Sequence, residues 1–351
     1  MSRLTDVYQN DLKDYRFEVE SFLPKALFDA ITDIRIDKKR VVSKEAKTRM
    51  RRRRLTTDGK LTIVAADHPG RMITNYGDNP IQMGNRYNYL GRVLRILVGS
   101  EMDGVMGTPD ILEELMIVSW LYRKKYGRSF LDHRVMVGTM NRGGLIGTSF
   151  EMADRFTSFT AKAIHDLRLD GGKFMFRLEG SDADCGETMF QCSRAIEDLN
   201  RFGLAAFFEA LPVMKDSSGY PVKKDPESLV KLIGAATAMG DSSLNLWIKI
   251  PYCDRYATIA ASTTCPILML GGAATGNPIP TLEEFEKGLK EGSNVRGVLA
   301  GRNILYPGTD DPACIAEAAH KIIHKDQSVE AVIGGMKEWR GKEFHRLANL
   351  V

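Results

Sequence analysis

The chain has 351 residues, 43% of them apolar and 27% charged, with a net charge of +4. That length holds one large domain or two small ones, and that balance is the balance of a globular protein rather than a disordered one. No apolar run is long enough to span a membrane, so no membrane partner is expected.

The first ten residues, MSRLTDVYQN, are polar and lack the apolar centre of a signal peptide, which places the expected location in the cytoplasm. Residues 1–58 precede the first strand-like run. They include KALFDAIT, which reads as a helix, so they are expected to form an N-terminal helical extension packed on the main domain, residues 59–351. The run KTRMRRRR (Lys47 to Arg54, with the arginine-rich part at 49–54) reads as a solvated charged segment. No aromatic residues interleave with it, so nucleic acid is not expected as a partner.

Eight β-rich runs follow: LTIVAA (61–66), DGVMG (103–107), VMVGTM (135–140), KFMFRLE (173–179), AAFFEA (205–210), LNLWIKI (244–250), PILMLG (266–271) and RGVLAG (296–301). Most are apolar on both faces, as in a covered parallel sheet. Helical patterns separate them. One is predicted from Pro109 to Gly127, with basic residues in its last turn. Another is predicted to start at Thr281, with Glu284 completing a capping box. Eight strand–helix units predict an α/β fold, a (β/α)8 TIM barrel. A doubly wound sheet is the competitor, but no GxGxxG opens the first helix.

Function in such barrels gathers where strands end. The first strand ends in AADHPGR, which offers Asp67, His68 and Arg71. The third ends in TMNRGG with Asn141 and Arg142, the fourth in RLEGSD with Arg177 and Glu179, and the fifth in FFEALP with Glu209. The sixth carries Lys249 inside LNLWIKIPY. A buried amine is held below its ordinary pKa, so part of it is neutral near pH 7 and able to attack a carbonyl. Asp67, Glu179 and Glu209 are candidate proton carriers. Each is equally readable as a salt-bridge partner of Arg177 or Arg142. Gly271 and Gly272 after strand seven, with Gly301 and Arg302 after strand eight, form a candidate phosphate site. His68 is a candidate substrate contact. His320 and His324 share a helix face and read as solvated, since no third ligand is near; no metal and no cofactor is expected. The five cysteines form no CxxC and read as reduced, structural thiols.

The strand ends AADHPG, RLEGSD, LWIKIPY, ILMLGG and GVLAGRNIL together resemble those of the DeoC/FbaB/LacD class I aldolase family, over roughly residues 60–325. The branch resembled is the one associated with myo-inositol catabolism. The resemblance implies a Schiff-base lyase of carbohydrate metabolism. It makes Lys249 the Schiff-base lysine and Asp67 the aspartate near the reacting hydroxyls. Gly271, Gly272, Gly301 and Arg302 become the phosphate-binding positions. Arg142, Arg177 and His68 are further candidates for holding the substrate. The implied substrate is a phosphorylated keto-sugar such as 2-deoxy-5-keto-gluconate 6-phosphate, and a homo-oligomer is expected. Two departures stand out. Leu211 precedes Pro212 where the fructose-bisphosphate enzymes carry a tyrosine, which points proton transfer toward Glu209. PGRMITNYGDNP replaces their glycine-rich loop after strand one. The competing functions are a transaldolase, a thiolase-like acyl transferase, and a sugar-phosphate-binding barrel without catalysis.

Overall fold

The computed structural model describes residues 3–217 and 219–351. All eight predicted strands are present: β1 (Leu61–Ala66), β2 (Gly104–Gly107), β3 (Val135–Thr139), β4 (Gly171–Leu178), β5 (Ala205–Pro212), β6 (Leu246–Ile250), β7 (Ile267–Met269) and β8 (Val295–Ala300). They pair in parallel in chain order and close β8 onto β1, a complete barrel. Closure buries both faces of every strand, which is why the runs read as apolar rather than alternating.

The period of two along each strand sorts side chains between inside and outside. Leu61, Ile63, Met106, Val137, Phe207, Leu268 and Leu299 form an apolar plug in the barrel interior. Their neighbours of opposite parity, such as Val64, Phe174, Phe208 and Ile248, pack outward in the large core shared with the helices. Continued upward, the inner parity reaches Asp67, Lys173, Glu209 and Lys249. The register sets Glu209 opposite Lys249 and Met175 opposite Glu209.

Four helices precede the barrel: α1 (Arg3–Leu12), α2 (Val19–Phe22), α3 (Lys25–Asp37) and α4 (Val41–Thr48). The crossover helices are α5 (Arg86–Gly99), α6 (Pro109–Tyr126), α7 (Ala161–Asp166), α8 (Cys185–Arg201), α9 (Pro226–Thr237), α10 (Tyr256–Ala260) and α11 (Ile279–Leu289). After β8 come α12 (Arg302–Leu305), α13 (Pro312–Lys325) and α14 (Val329–Trp339). The N-terminal helices lie on this outer layer, α2 on α5, α3 and α4 on α6, and α1 on α14. Helix α6 ends as its sequence requires, with Gly127 left-handed at φ 70°. Helix α11 starts at Ile279, behind Pro278, so Thr281 lies within its first turn rather than capping it. No helix among the described residues is long and apolar enough to cross a membrane.

The arginine-rich run is only in part the solvated segment its charge suggests: Lys47, Arg53 and Arg54 are exposed, but three arginines between them turn inward. Arg49 is fully buried and donates to the carbonyls of Arg134 (2.8 Å) and Arg168 (2.6 Å), and pairs with Asp170 at 3.4 Å. Arg51 meets Asp170 at 2.9 Å, and Arg52 meets Asp103 at 2.7 Å. Asp103 and Asp170 stand just ahead of β2 and β4, so these arginines seal the bottom of the barrel, and Leu55 packs against the interior plug. The pair His320 and His324 is half-buried there too. Asp58 and Asp103 each lie 2.8 Å from one ring nitrogen of His324, and the two imidazoles stack at 4.5 Å. A charge-run argument cannot see carboxylates brought from other parts of the chain.

Candidate active site

Four ionisable side chains form a polar layer directly above the apolar plug. Lys173 is fully buried, with Nζ 2.7 Å from Glu209 Oε2 and 3.4 Å from Asp67 Oδ2. Lys249 Nζ lies 2.9 Å from the same Glu209 oxygen. One carboxylate oxygen is thus shared by two ammonium groups, from β4 and β6, while Asp67 closes the layer from the end of β1.

The electrostatics follow from burial and from these contacts. Burial pulls the Lys249 amine down, Glu209 pulls it up, and the like charge of Lys173 pulls it down again; the outcome is about 8. Burial alone would raise Asp67 and Glu209, but Lys173 and the other cations around them hold both well below the ordinary carboxylate range. At neutral pH both are therefore ionised and ready to accept protons. Burial lowers His68 to about 3, so its imidazole is neutral. Its Nδ1 lies 3.3 Å from the Tyr89 hydroxyl, which places it behind Asp67 rather than in the mouth.

Above the layer opens a cavity of about 620 Å³ at the C-terminal mouth of the barrel. Glu209, Met175, Leu211, Leu270, Gly272, Arg71, Arg177 and Arg302 all line it. Lys249 does not, since its amine lies just under the floor that Glu209 makes. Leu211 is aliphatic and has no proton to donate to this cavity, which Tyr220 also lines. Arg302 is held down by burial and then by the charge of Arg71. Among the described residues no group of three or more His, Cys, Asp or Glu is arranged to hold a metal ion.

Several candidates from the sequence stand elsewhere. Arg142 donates to Thr157 at 3.1 Å and lines a neighbouring pocket, not this cavity, because the chain turns outward at Gly143 and Gly144. Arg177 faces the cavity, but Glu151 of the long loop after β3 holds its guanidinium, at 2.5 Å to the carboxylate and 2.7 Å to the carbonyl. Glu179 turns aside to bond Ser181. Gly271 is a packing residue: a Cβ there would lie 2.9 Å from that of Ala300, and its carbonyl accepts from Asn303. Gly301 is more constrained still, since a Cβ would lie 2.3 Å from His68 Cε1. Gly272 and Arg302 are left at the cavity from the proposed phosphate set. All five cysteines are free and buried.

Lys173 is the residue the sequence reading passed over. It opens KFMFRLE, where a lysine at a strand start looks like an exposed end. Its parity with Met175 and Arg177 was the available signal, because it turns the amine into the barrel.

In comparison with solved structures, the Cgl0159 protein of Corynebacterium glutamicum is 32% identical over 87% of this chain and 99% of its own, with a TM-score of 0.80. A fructose-bisphosphate aldolase from Slackia heliotrinireducens is 14% identical over 92% of this chain and 96% of its own, TM-score 0.60. A Schiff-base-forming fructose-1,6-bisphosphate aldolase is 19% identical over 81% of this chain and 100% of its own, TM-score 0.55. The two aldolases share the barrel fold with this chain. A comparison with curated protein sequences gave no match. The Cgl0159-like family model matches residues 59–320, the whole barrel through most of α13, and the chain belongs to that family.

Proposed function

We propose that the protein is a Schiff-base-forming aldolase that cleaves or forms a phosphorylated keto-sugar. The observation that carries this reading is a buried amine of lowered pKa, Lys249, touching an ionised carboxylate at the C-terminal mouth of a barrel. The barrel fold shared with a Schiff-base-forming aldolase is in keeping with it.

In the cleavage direction the neutral Lys249 amine adds to the ketone, and loss of water leaves a protonated imine. Glu209 or Asp67 takes the proton from the hydroxyl on the carbon beyond the bond to be broken. The C–C bond pair then flows into the imine, giving an enamine and an aldehyde. Protonation of the enamine carbon and addition of water release the ketone and return the amine. Lys173 holds both carboxylates in place; its role is positioning. Gly272 and Arg302 face the phosphate.

The substrate we favour is 2-deoxy-5-keto-gluconate 6-phosphate, on the strength of the motif resemblance to the inositol-catabolic branch. The test is borohydride reduction in the presence of ketose phosphates, followed by mass mapping. The expected adduct is on Lys249 and absent from K249M. Equal labelling of both proteins, or none of either, refutes the Schiff base. A retro-aldol screen of phosphorylated ketoses then names the substrate.

A further inference from the structure

Arg71 comes from the turn after β1 and Arg302 from the turn after β8, two strands that pair directly. Both guanidiniums line the cavity. Neither has a carboxylate within 4 Å among the described residues, although Arg177, at the same cavity, is paired with Glu151. Both leave a buried Nε without a hydrogen-bond partner. The best acceptor Arg71 finds is a thioether, Met175 Sδ, 3.7 Å from Nη2. Among the described residues the Arg302 side chain makes no hydrogen bond or ion pair within 4 Å; Asp67 and Glu209 attract it only from farther off.

Leaving buried donors unpaired costs free energy, and placing two like charges at one mouth adds to it. The local backbone is nonetheless shaped to keep Arg71 there. Gly143 passes beside it in a left-handed conformation (φ 68°), and a Cβ would lie 2.8 Å from Arg71 Nε. The Arg71 carbonyl in turn accepts from Ile146 of the same loop at 3.5 Å. Arg71 therefore reaches from β1 across to the β3–β4 side, over the polar layer.

We propose that Arg71 and Arg302 jointly grip one dianionic phosphomonoester group of the substrate, with Arg71 the specificity-determining half of the clamp. This rests on the aldolase reading for the substrate's chemistry and adds a residue to its binding site. Two fixed positive charges match a phosphate monoester in its doubly ionised form, and guanidinium forks suit its oxygens. A carboxylate would neutralise only one of the two charges.

Inorganic phosphate is the probe, titrated calorimetrically into the full-length wild type, R71M, R302M and the double variant. R71M is expected to weaken binding by about tenfold or more, the loss of charge-assisted hydrogen bonds. The double variant should be barely worse than either single one, because both arginines hold the same anion. Wild-type affinity should fall as pH drops through the second ionisation of inorganic phosphate, where the dianion becomes a monoanion; a phosphomonoester, with its second pKa of about 6, should lose affinity at lower pH. Without phosphate, R71M should melt no lower than wild type, since a like-charge contact is removed. R71K, which keeps the charge and loses the fork, covers the case where R71M does not fold and should bind with intermediate affinity. Unchanged phosphate affinity in R71M or R71K overturns the proposal, as do fully independent effects of the two arginines. Borohydride trapping of Lys249 with dihydroxyacetone, a neutral ketone, tests the aldolase reading separately, so failure of one is distinguishable from failure of the other.

Discussion

Oε2 of Glu209 stands 2.9 Å from Nζ of Lys249 on the adjacent strand, both side chains buried. A carboxylate so placed can take the proton that Lys249 must lose and later serve the substrate hydroxyl. In E209Q the neutral amide cannot accept a proton, and kcat is expected to fall by about 100-fold or more. Single-turnover kinetics check this. The amide is nearly isosteric, so the fold by circular dichroism should be kept, but two buried amines lose their shared counter-charge and Tm should fall, which makes assay below the lowered Tm part of the test.

The pH profile should carry the mark of Lys249. Its amine is lowered from 10.5 to about 8, so the neutral, attacking form grows as pH rises and kcat/KM should climb through about pH 8. Lys173 is one cause of that lowering. With K173M, two carboxylates face a single amine and hold its proton more tightly. The acid limb should then move up by about one pH unit or more. K173R restores the charge and should restore the limb. A purely structural role for Lys173 would lower stability without moving the limb.

The barrel was legible because closure demands eight buried strands, and these runs are short, apolar and separated by helical patterns. The buried place of Lys249 was legible because it stands inside such a run, where an amine is expensive without a partner. What stayed hidden depends on where distant segments meet. Arg177 read as a substrate contact or as a partner of Asp67, Glu179 or Glu209, and it is Glu151, 26 residues earlier, that comes back to hold it. Gly301 looked like an anion contact, yet His68 fills the space beside it. Arg142 failed for a local reason, since two left-handed glycines after it redirect the chain.

His324 gives a stability prediction far from the catalytic layer. Burial lowers its pKa, but hydrogen bonds and charge from Asp103, and then Asp58, outweigh this and raise it above 6.5. Arg52 also faces Asp103, and His320 stacks on the ring. A raised folded-state pKa means the stabilisation is complete below the ordinary histidine value and is lost as pH rises through the folded value. Only the imidazolium can donate to both carboxylates at once. In urea melts H324Q should be less stable than wild type by about 2 kcal/mol near pH 6, the value of hydrogen bonds to charged groups. The gap should shrink by about pH 9. A pH-independent gap would show that His324 is not charged in the fold.

Gly301 separates packing from ligand binding. In G301A the new methyl lies 2.3 Å from His68 Cε1 and 2.7 Å from the Ala65 carbonyl oxygen. The carbonyl belongs to the backbone at the end of β1, and His68 is buried against Tyr89, so neither neighbour yields cheaply. Overpacking of this kind costs about 1–3 kcal/mol. The strain falls on Asp67, next to His68 in sequence, and so on the carboxylate that Lys173 holds. G301A is therefore expected to lower both Tm and kcat, while phosphate affinity, read by titration, stays near that of wild type. If phosphate binding is lost while Tm holds, Gly301 contacts the anion itself and the packing account fails.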